Sequence, residues 1–226
     1  MFGMKKCVLI TGASKGIGLA LSKLFLENNY KVIGTCRSGR VDQISHPDFT
    51  AIELDVTCFE SIERAATVLL KEHRIDILIN NAGVGLDLNT STPDKESFKQ
   101  TFDVNVSGTV FFTEAVIDIL KKQAKIVNVS SHMGSVDGCK SSDSVAYRMS
   151  KSALNMYTKI LSNRLKGKAT IASIHPGWVR TTITEGNVAM ASLSPETSAR
   201  NIYEFITSEF ETGIFWNTTT QSRLDW

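Results

Sequence analysis

The chain has 226 residues, of which 42% are hydrophobic and 21% are charged. This composition is that of an ordinary globular protein and argues against an intrinsically disordered chain. The formal net charge is only +2 and the basic residues are scattered, which argues against nucleic acid or a membrane surface as a partner. No apolar run reaches the roughly 18 residues that a membrane-spanning helix needs. We therefore expect a cytoplasmic protein with one domain over residues 1–226.

Short apolar runs rich in β-branched residues alternate along the chain with amphipathic stretches of helical length. The predicted strands are 7–11, 31–36, 50–54, 75–79, 125–129, 170–174 and a shorter 214–216. The predicted helices are 18–28, 61–72, 98–122, 145–165 and 195–208. This alternation predicts an α/β fold, a Rossmann-like doubly wound parallel sheet of about seven strands with helices on both faces. Ligands of such sheets bind at the carboxyl ends of the strands.

The first predicted strand runs directly into the glycine-rich sequence TGASKGIG at 11–18, where a helix begins. Glycines let the backbone turn tightly and bring N–H groups and a helix N-terminus against a pyrophosphate. A phosphate-binding P-loop is excluded, because the Gly-Lys-Ser/Thr ending is absent. The turn therefore predicts a dinucleotide site.

The four cysteines are widely spaced and form no CxxC pair. They also form no metal-ligand grouping with the four histidines, so no metal site is predicted. Free thiols in a reducing compartment are the simplest interpretation.

The glycine-rich turn and several later motifs resemble those of the short-chain dehydrogenase/reductase family. Asp55 and Val56 follow the third predicted strand, NNAG at 80–83 follows the fourth, and Pro-Gly at 176–177 follows the sixth. Each of these motifs stands where the carboxyl-end rule places a ligand. The resemblance covers nearly the whole chain.

The family resemblance implies a set of cofactor contacts. Asp55 is expected to contact adenine, while Val179 and Thr181 are expected to hold the nicotinamide carboxamide. With the basic residues Lys15 and Arg37 included, the residues expected to bind the cofactor are Gly12, Ser14, Lys15, Gly16, Ile17, Gly18, Arg37, Asp55, Val56, Asn81, Ala82, Gly83, Tyr147, Lys151, Pro176, Gly177, Val179 and Thr181.

The end of the second predicted strand favours NADP over NAD. An NAD enzyme usually has an acidic residue there to accept hydrogen bonds from the ribose hydroxyls. This chain has Cys36 followed by Arg37, and a guanidinium suits a 2′-phosphate. Lys15 adds a second positive charge, so NADPH is predicted as the preferred cofactor.

Tyr147 and Lys151 stand four residues apart in a predicted helix, which puts both side chains on one face. Reduction of an aldehyde or ketone needs a hydride from the nicotinamide and a proton for the carbonyl oxygen. A phenol has a pKa of about 10, and a nearby ammonium, together with the oxidised nicotinamide when it is bound, stabilises the phenolate and lowers that pKa. Tyr147 is therefore the predicted proton donor, with Lys151 lowering the pKa of Tyr147 and anchoring the ribose.

The resemblance implies two further catalytic residues, Ser131 and Asn105. Ser131 is the second of two serines after the fifth predicted strand, and its hydroxyl is expected to hold the carbonyl oxygen. Ser130 is the alternative, which we expect to bond backbone groups instead. Asn105 is expected to hold a water that links the lysine to solvent. The interval from Ser131 to Tyr147 is longer than usual for the family, which predicts a small insertion over 132–144.

Residues 131–135 (SHMGS) and 146–156 (AYRMSKSALNM) resemble the C-factor and sniffer-type carbonyl reductase branch of the family. The segment 182–193 after the Pro-Gly turn is short, which predicts a small, open pocket for an aldehyde or ketone. The leading hypothesis is an NADPH-dependent carbonyl reductase. The alternatives are an NADP-binding regulatory protein with little or no turnover and an NAD-binding structural module, and Arg37 argues against the latter.

The long predicted helices at 98–122 and 145–165 have apolar residues on more than one side. One side of each must pack on the sheet. The other side predicts a homodimer or homotetramer, with additional internal packing as the alternative interpretation.

Overall fold

The computed structural model describes residues 5–72 and 74–226, and these residues build an eight-stranded sheet. In chain order the strands are β1 (Cys7–Thr11), β2 (Lys31–Cys36), β3 (Phe49–Glu53), β4 (Ile75–Asn80), β5 (Leu120–Val129), β6 (Ala169–His175), β7 (Ile214–Asn217) and β8 (Ser222–Arg223). Their spatial order is β3-β2-β1-β4-β5-β6-β7-β8, so the winding reverses between β1 and β4. The predicted doubly wound parallel sheet is confirmed. The antiparallel β8, only two residues long, was missed because so short a strand has no detectable periodicity.

Helices cover both faces of the sheet. In chain order they are α1 (Gly16–Glu27), α2 (Phe59–Glu72), α3 (Lys95–Phe102), α4 (Thr109–Val116), α5 (Val145–Arg164), α6 (Glu185–Met190) and α7 (Pro195–Thr207). Val8 and Ile10 of β1 face the core under α1 and α7, whereas Leu9 faces the core under α2, α4 and α5. Successive strand residues point to opposite faces, so a strand buried on both sides is apolar throughout. No helix within the described residues is both long and apolar enough to cross a bilayer.

The prediction of one uninterrupted helix over 98–122 is wrong in two respects, because the α-helix is interrupted and because it ends before residue 122. A π-helical turn at Asp103–Gly108 separates α3 from α4, and a 3₁₀ turn at Ile117–Ile119 follows. Leu120 then begins β5, where it pairs with Ile75 of β4. Apolar periodicity continues across this boundary, so a strand pairing distant in sequence ended the helix.

The segment 182–193, whose shortness predicted a small, open pocket, contains the unpredicted helix α6. Thr184 caps this helix by accepting a hydrogen bond from the N–H of Asn187 (3.1 Å). Leu193 then donates its N–H to the carbonyl oxygen of Trp178 (3.0 Å), which closes the segment into a loop beside β6.

Candidate active site

The glycine-rich turn lies between β1 and α1. Gly12 and Gly16 have positive φ angles of 68° and 55°, a conformation that strongly favours glycine. The residue at the N-cap of α1, Lys15, makes no side-chain hydrogen bond to the first turn. By contrast, Asp94 caps α3 and Ser194 caps α7. The uncapped N–H groups at the start of α1 therefore fit an anion such as a pyrophosphate.

Asn81 ties the glycine-rich turn to the end of β4. Its Nδ2 donates to the carbonyl oxygens of Thr11 (2.9 Å) and Gly12 (3.2 Å). Thr11 Oγ1 in turn accepts the backbone N–H groups of Asn81 and Ala82, both at 3.0 Å. A side chain at Gly18 would overlap the Gly12 carbonyl oxygen, so only glycine there lets α1 pack against the turn. The winding reverses at this point, where doubly wound sheets bind ligands.

Basic residues gather beyond the ends of β1 and β2. The Ala13 N–H donates to the Thr35 carbonyl oxygen (2.9 Å), which holds the glycine-rich turn beside the end of β2. Lys15 lies in that turn and Arg37 directly follows β2, and both side chains are exposed. Arg40, exposed in the turn after β2, adds a positive charge that was not among the predicted site residues. This edge of the site suits a phosphate better than an uncharged ribose hydroxyl.

Asp55 and Val56 follow β3. Asp55 Oδ1 accepts hydrogen bonds from the N–H (2.9 Å) and the hydroxyl (2.7 Å) of Thr57. These bonds, with a longer-range contribution from the Arg37 guanidinium, hold the pKa of Asp55 below its usual value. An ionised, ordered carboxylate therefore stands at this edge of the sheet.

The loop after β6 begins with Pro176 and Gly177. Val179, further along this loop, is buried at 4% exposure. Thr181 reaches the glycine-rich turn, because a β-carbon at Gly16 would lie 3.3 Å from Thr181 Cγ2. The loop thus brings Thr181 beside the uncapped end of α1.

Tyr147 and Lys151 lie in the first two turns of α5 and are 8% and 5% exposed. Lys151 Nζ is 5.6 Å from the centroid of the Tyr147 ring and donates to the Val129 carbonyl oxygen at 2.9 Å. Ser131, two residues beyond Val129, has its hydroxyl near enough to the Tyr147 hydroxyl to lower the pKa of that phenol. The end of β5 and the start of α5 thus bring three of the four residues predicted to be catalytic together.

The pKa of Tyr147 differs from the predicted direction. Burial raises it to about 12, and the nearby Ser131 hydroxyl opposes this with a smaller lowering effect. Burial also lowers the pKa of Lys151 to about 8. The direction is opposite to the prediction because both side chains are buried, and loss of contact with water disfavours charge on either of them. A phenol with a raised pKa keeps its proton near neutral pH.

Asn105 lies in the π-helical turn and is fully buried. Its Nδ2 donates to the Val84 carbonyl oxygen (2.8 Å) and to Ser150 Oγ (3.0 Å), and its Oδ1 accepts the Val84 N–H (2.8 Å). A β-carbon at Gly83 would lie 3.3 Å from Asn105 Oδ1 and 3.5 Å from Lys151 Nζ. The amide oxygen and the ammonium therefore face the same point next to Gly83.

The two serines after β5 point to different partners. Ser130 Oγ lies 3.4 Å from the Lys151 carbonyl oxygen, a contact with the backbone of α5. Ser131 instead meets the hydroxyl of Tyr147. Of the two, only Ser131 has a hydroxyl next to the phenol.

The segment 132–144, predicted to be an insertion, is held by contacts outside itself. The Val136 N–H donates to the Trp226 carbonyl oxygen at 2.9 Å. His132 Nδ1 lies 3.3 Å from His175 Nε2 at the end of β6. The loop next to Ser131 is therefore fastened to two later parts of the chain.

Sequence reasoning missed Thr11 and Ser150 as parts of the site. Thr11 begins the glycine-rich sequence and Ser150 lies between Tyr147 and Lys151, so both could have been included as members of those motifs. The residues assigned to cofactor binding outside α5 all lie in or beside the loops after β1, β2, β3, β4 and β6: Gly12, Ser14, Lys15, Gly16, Ile17, Gly18, Arg37, Asp55, Val56, Asn81, Ala82, Gly83, Pro176, Gly177, Val179 and Thr181.

Comparison with known proteins agrees with this architecture. Residues 6–191 match the family model for short chain dehydrogenases. Human retinol dehydrogenase 13 is 35% identical over 199 residues, which cover 78% of this chain and 60% of that protein. This chain therefore spans less than two thirds of that relative.

Two solved structures are similar over almost the full chain. Carbonyl reductase Sniffer of D. melanogaster has a TM-score of 0.88 and 27% identity, covering 99% of this chain and 100% of that chain. The NADPH-bound carbonyl reductase from chicken fatty liver has a TM-score of 0.87 and 26% identity, covering 98% and 99%. With its glycine-rich turn at the switch point and its matched family model, this chain belongs to the short chain dehydrogenase family of oxidoreductases.

Proposed function

We propose that residues 1–226 act as a single NADP-binding domain that reduces an aldehyde or ketone with NADPH. The observation that carries this proposal is the buried hydroxyl of Tyr147, with the Ser131 side chain next to it and Lys151 beside its ring. When bound, NADPH supplies the hydride. The phenol donates its proton to the carbonyl oxygen, and the Ser131 hydroxyl orients that oxygen for the transfer.

Lys151 and Asn105 support the proton transfer in this scheme. Lys151 places a positive charge beside the phenol as negative charge develops on it, which stabilises the transition state. The Asn105 amide oxygen, facing the same point as the ammonium, accepts a hydrogen bond from a water that returns a proton to the site. Asn105 also bonds both backbone groups of Val84, the residue that follows the NNAG motif.

The proposed activity is tested by following NADPH absorbance with a panel of aldehydes, quinones and α-dicarbonyls. We expect turnover with at least one of these classes, in keeping with the carbonyl reductases among the structural neighbours. Tight NADPH binding with no turnover on any of them would favour a regulatory NADP-binding protein instead.

Preference for NADPH over NADH is proposed from the charges near the end of β2. Replacing Arg37 with glutamine removes a guanidinium suited to the 2′-phosphate, so we expect the Kd of NADPH to rise about tenfold or more. The Kd of NADH, which lacks that phosphate, should not change measurably. Fluorescence titration of both cofactors measures the two constants. Arg200→Gln, which changes an exposed arginine on α7, is the matched control. If Arg37→Gln weakened the binding of NADPH and NADH equally, the proposed contact between Arg37 and the 2′-phosphate would be wrong.

We also propose that the chain forms a homodimer or homotetramer through α4 and α5. Met149, Met156 and Ile160 form one exposed stripe along α5, at 49%, 61% and 54%, and Phe111 of α4 is 45% exposed. Replacing Met156 and Ile160 with glutamate should release monomers, as measured by light scattering on a sizing column. Val136→Glu, at an exposed apolar residue outside both helices, should leave the mass unchanged. A monomeric wild-type protein would refute this interface.

A further inference from the structure

Helix α5, which bears Tyr147, has no cap from its own N-terminal residue. Ser144 occupies the N-cap position with a positive φ of 56°, and its side chain makes no capping hydrogen bond to α5. A serine at this position usually accepts an N–H from the first turn of its helix. Here Ser144 Oγ instead accepts the N–H of Asn89, at 3.0 Å.

The missing cap is supplied by Asp87, from the loop after β4. Asp87 Oδ2 accepts the Ala146 N–H at 2.6 Å, and Oδ1 accepts the Tyr147 N–H at 3.0 Å. These are two of the N–H groups that the start of a helix leaves without a partner. Asp87 is only 2% exposed, so little water is available to replace it. A carboxylate is also the charge that the N-terminus of a helix favours.

The same loop touches the Tyr147 side chain. A β-carbon at Gly85 would lie 3.3 Å from Tyr147 Cδ2, so the backbone of the loop lies against the ring. The Ser144 N–H donates to the Thr90 carbonyl oxygen at 2.9 Å, which adds a hydrogen bond at the far end of the loop. Residues 85–90 therefore clamp the first turn of α5.

At its N-terminal end, this loop continues directly from the NNAG motif at 80–83. Asn81 and Ala82 bond to Thr11 beside the glycine-rich turn, and Val84 is held by Asn105. One continuous segment thus connects the dinucleotide site to the tyrosine-bearing helix turn. Displacing the clamp would move the phenol relative to the bound cofactor.

We propose that Asp87 is a positioning residue that fixes the first turn of α5, and with it the Tyr147 phenol, for proton transfer. This inference rests on the proposed role of Tyr147 as the proton donor. Reaction rates are sensitive to misplacement on the order of 1 Å, whereas cofactor binding depends mainly on other loops. The proposal therefore predicts a loss in kcat without a matching loss in cofactor affinity.

The test replaces Asp87 with asparagine, which has nearly the same volume. The amide oxygen can accept one N–H, but the NH₂ group then faces the second N–H. We expect kcat per NADPH-binding site to fall roughly 10- to 100-fold with the Kd of NADPH unchanged. Hydrogen exchange at the amides of Ala146 and Tyr147, followed by NMR, should become faster than in the wild type.

Asp94→Asn is the matched control, because Asp94 also accepts two backbone N–H groups, at the start of α3. It should leave kcat and the exchange at α5 unchanged. A second variant, Ser144→Ala, weakens the same clamp without altering the buried carboxylate. Ser144→Ala should also lower kcat, but by a smaller factor than Asp87→Asn. It replaces Asp87→Asn as the test if that variant does not fold.

Two results would overturn the proposal. One is a folded Asp87→Asn with wild-type kcat per site, or, where that variant does not fold, a Ser144→Ala with unchanged kcat. The other is unchanged amide exchange at Ala146 and Tyr147 in the variants. The exchange measurement needs no substrate, so it tests the clamp even if the wild type reduces no carbonyl. Absence of wild-type turnover, by contrast, would count against the proposed function itself.

Discussion

Tyr147→Phe is expected to lower kcat for carbonyl reduction by about 100- to 10,000-fold, the usual contribution of a positioned proton donor. The phenylalanine ring fills the same space but has no proton to give to the carbonyl oxygen. Binding of NADPH should stay close to the wild type, because the hydroxyl is the only group removed. Stopped-flow or steady-state NADPH oxidation measures the first quantity, and fluorescence titration measures the second.

The matched control is Tyr157→Phe on the same helix. Tyr157 donates its hydroxyl to Glu114 (2.8 Å), ten residues along α5 and away from the site. This variant should retain the wild-type kcat. If Tyr147→Phe kept most of its activity, the proton would have to come from another group and the proposed mechanism would fail.

Lys151→Met is expected to lower kcat by about 100- to 1,000-fold and also to weaken NADPH binding. Methionine keeps much of the bulk but removes the ammonium beside the Tyr147 ring and its bond to the Val129 carbonyl oxygen. Lys159→Met is the control, since Lys159 bonds the Gly213 carbonyl oxygen (3.3 Å) two turns further along α5. If both variants lost kcat equally, the loss would reflect a general disturbance of α5, and the specific role proposed for Lys151 would be wrong.

The pH dependence gives this prediction a second readout. Because burial lowers the pKa of Lys151 to about 8, the ammonium is present below that pH and lost above it. In the wild type, kcat/KM for NADPH should therefore fall as the pH rises through about 8. The raised pKa of Tyr147 keeps the phenol protonated throughout this range. Lys151→Met should lack this decline, and a persistent decline in the variant would assign it to another group.

Local motifs allowed much of the site to be predicted. The glycine-rich turn depends on residues 11–18 alone, because backbone conformations open to glycine are needed within a few positions of each other. Tyr147 and Lys151 meet because four residues bring side chains to one helix face. The order of strands and helices was readable for the same reason, since alternating apolar runs are a local pattern.

Longer-range contacts explain where prediction failed. The 3₁₀ turn after α4 ends at Ile119 because Leu120 pairs with Ile75, a partner 45 residues earlier that the apolar pattern around Leu120 does not reveal. The pKa of Tyr147 is raised rather than lowered because the packing of several elements removes water from the phenol. A sequence motif identifies the neighbouring charge but not the degree of burial that opposes it.

The sequence alone thus allowed three features to be predicted: the α/β architecture, the glycine-rich turn for a dinucleotide, and the placement of Tyr147 and Lys151 on one helix face. Each of them depends on a pattern among residues that are close together in the chain. The cap that Asp87 provides to α5, and the clamp of Asn105 on Val84, arise only when distant segments fold together. Hydrogen bonds of this kind join a loop to a helical residue 21 to 60 positions away, and no local pattern marks their partners. Folding therefore positions the Tyr147 phenol, whereas the local motif only identifies that residue as a candidate.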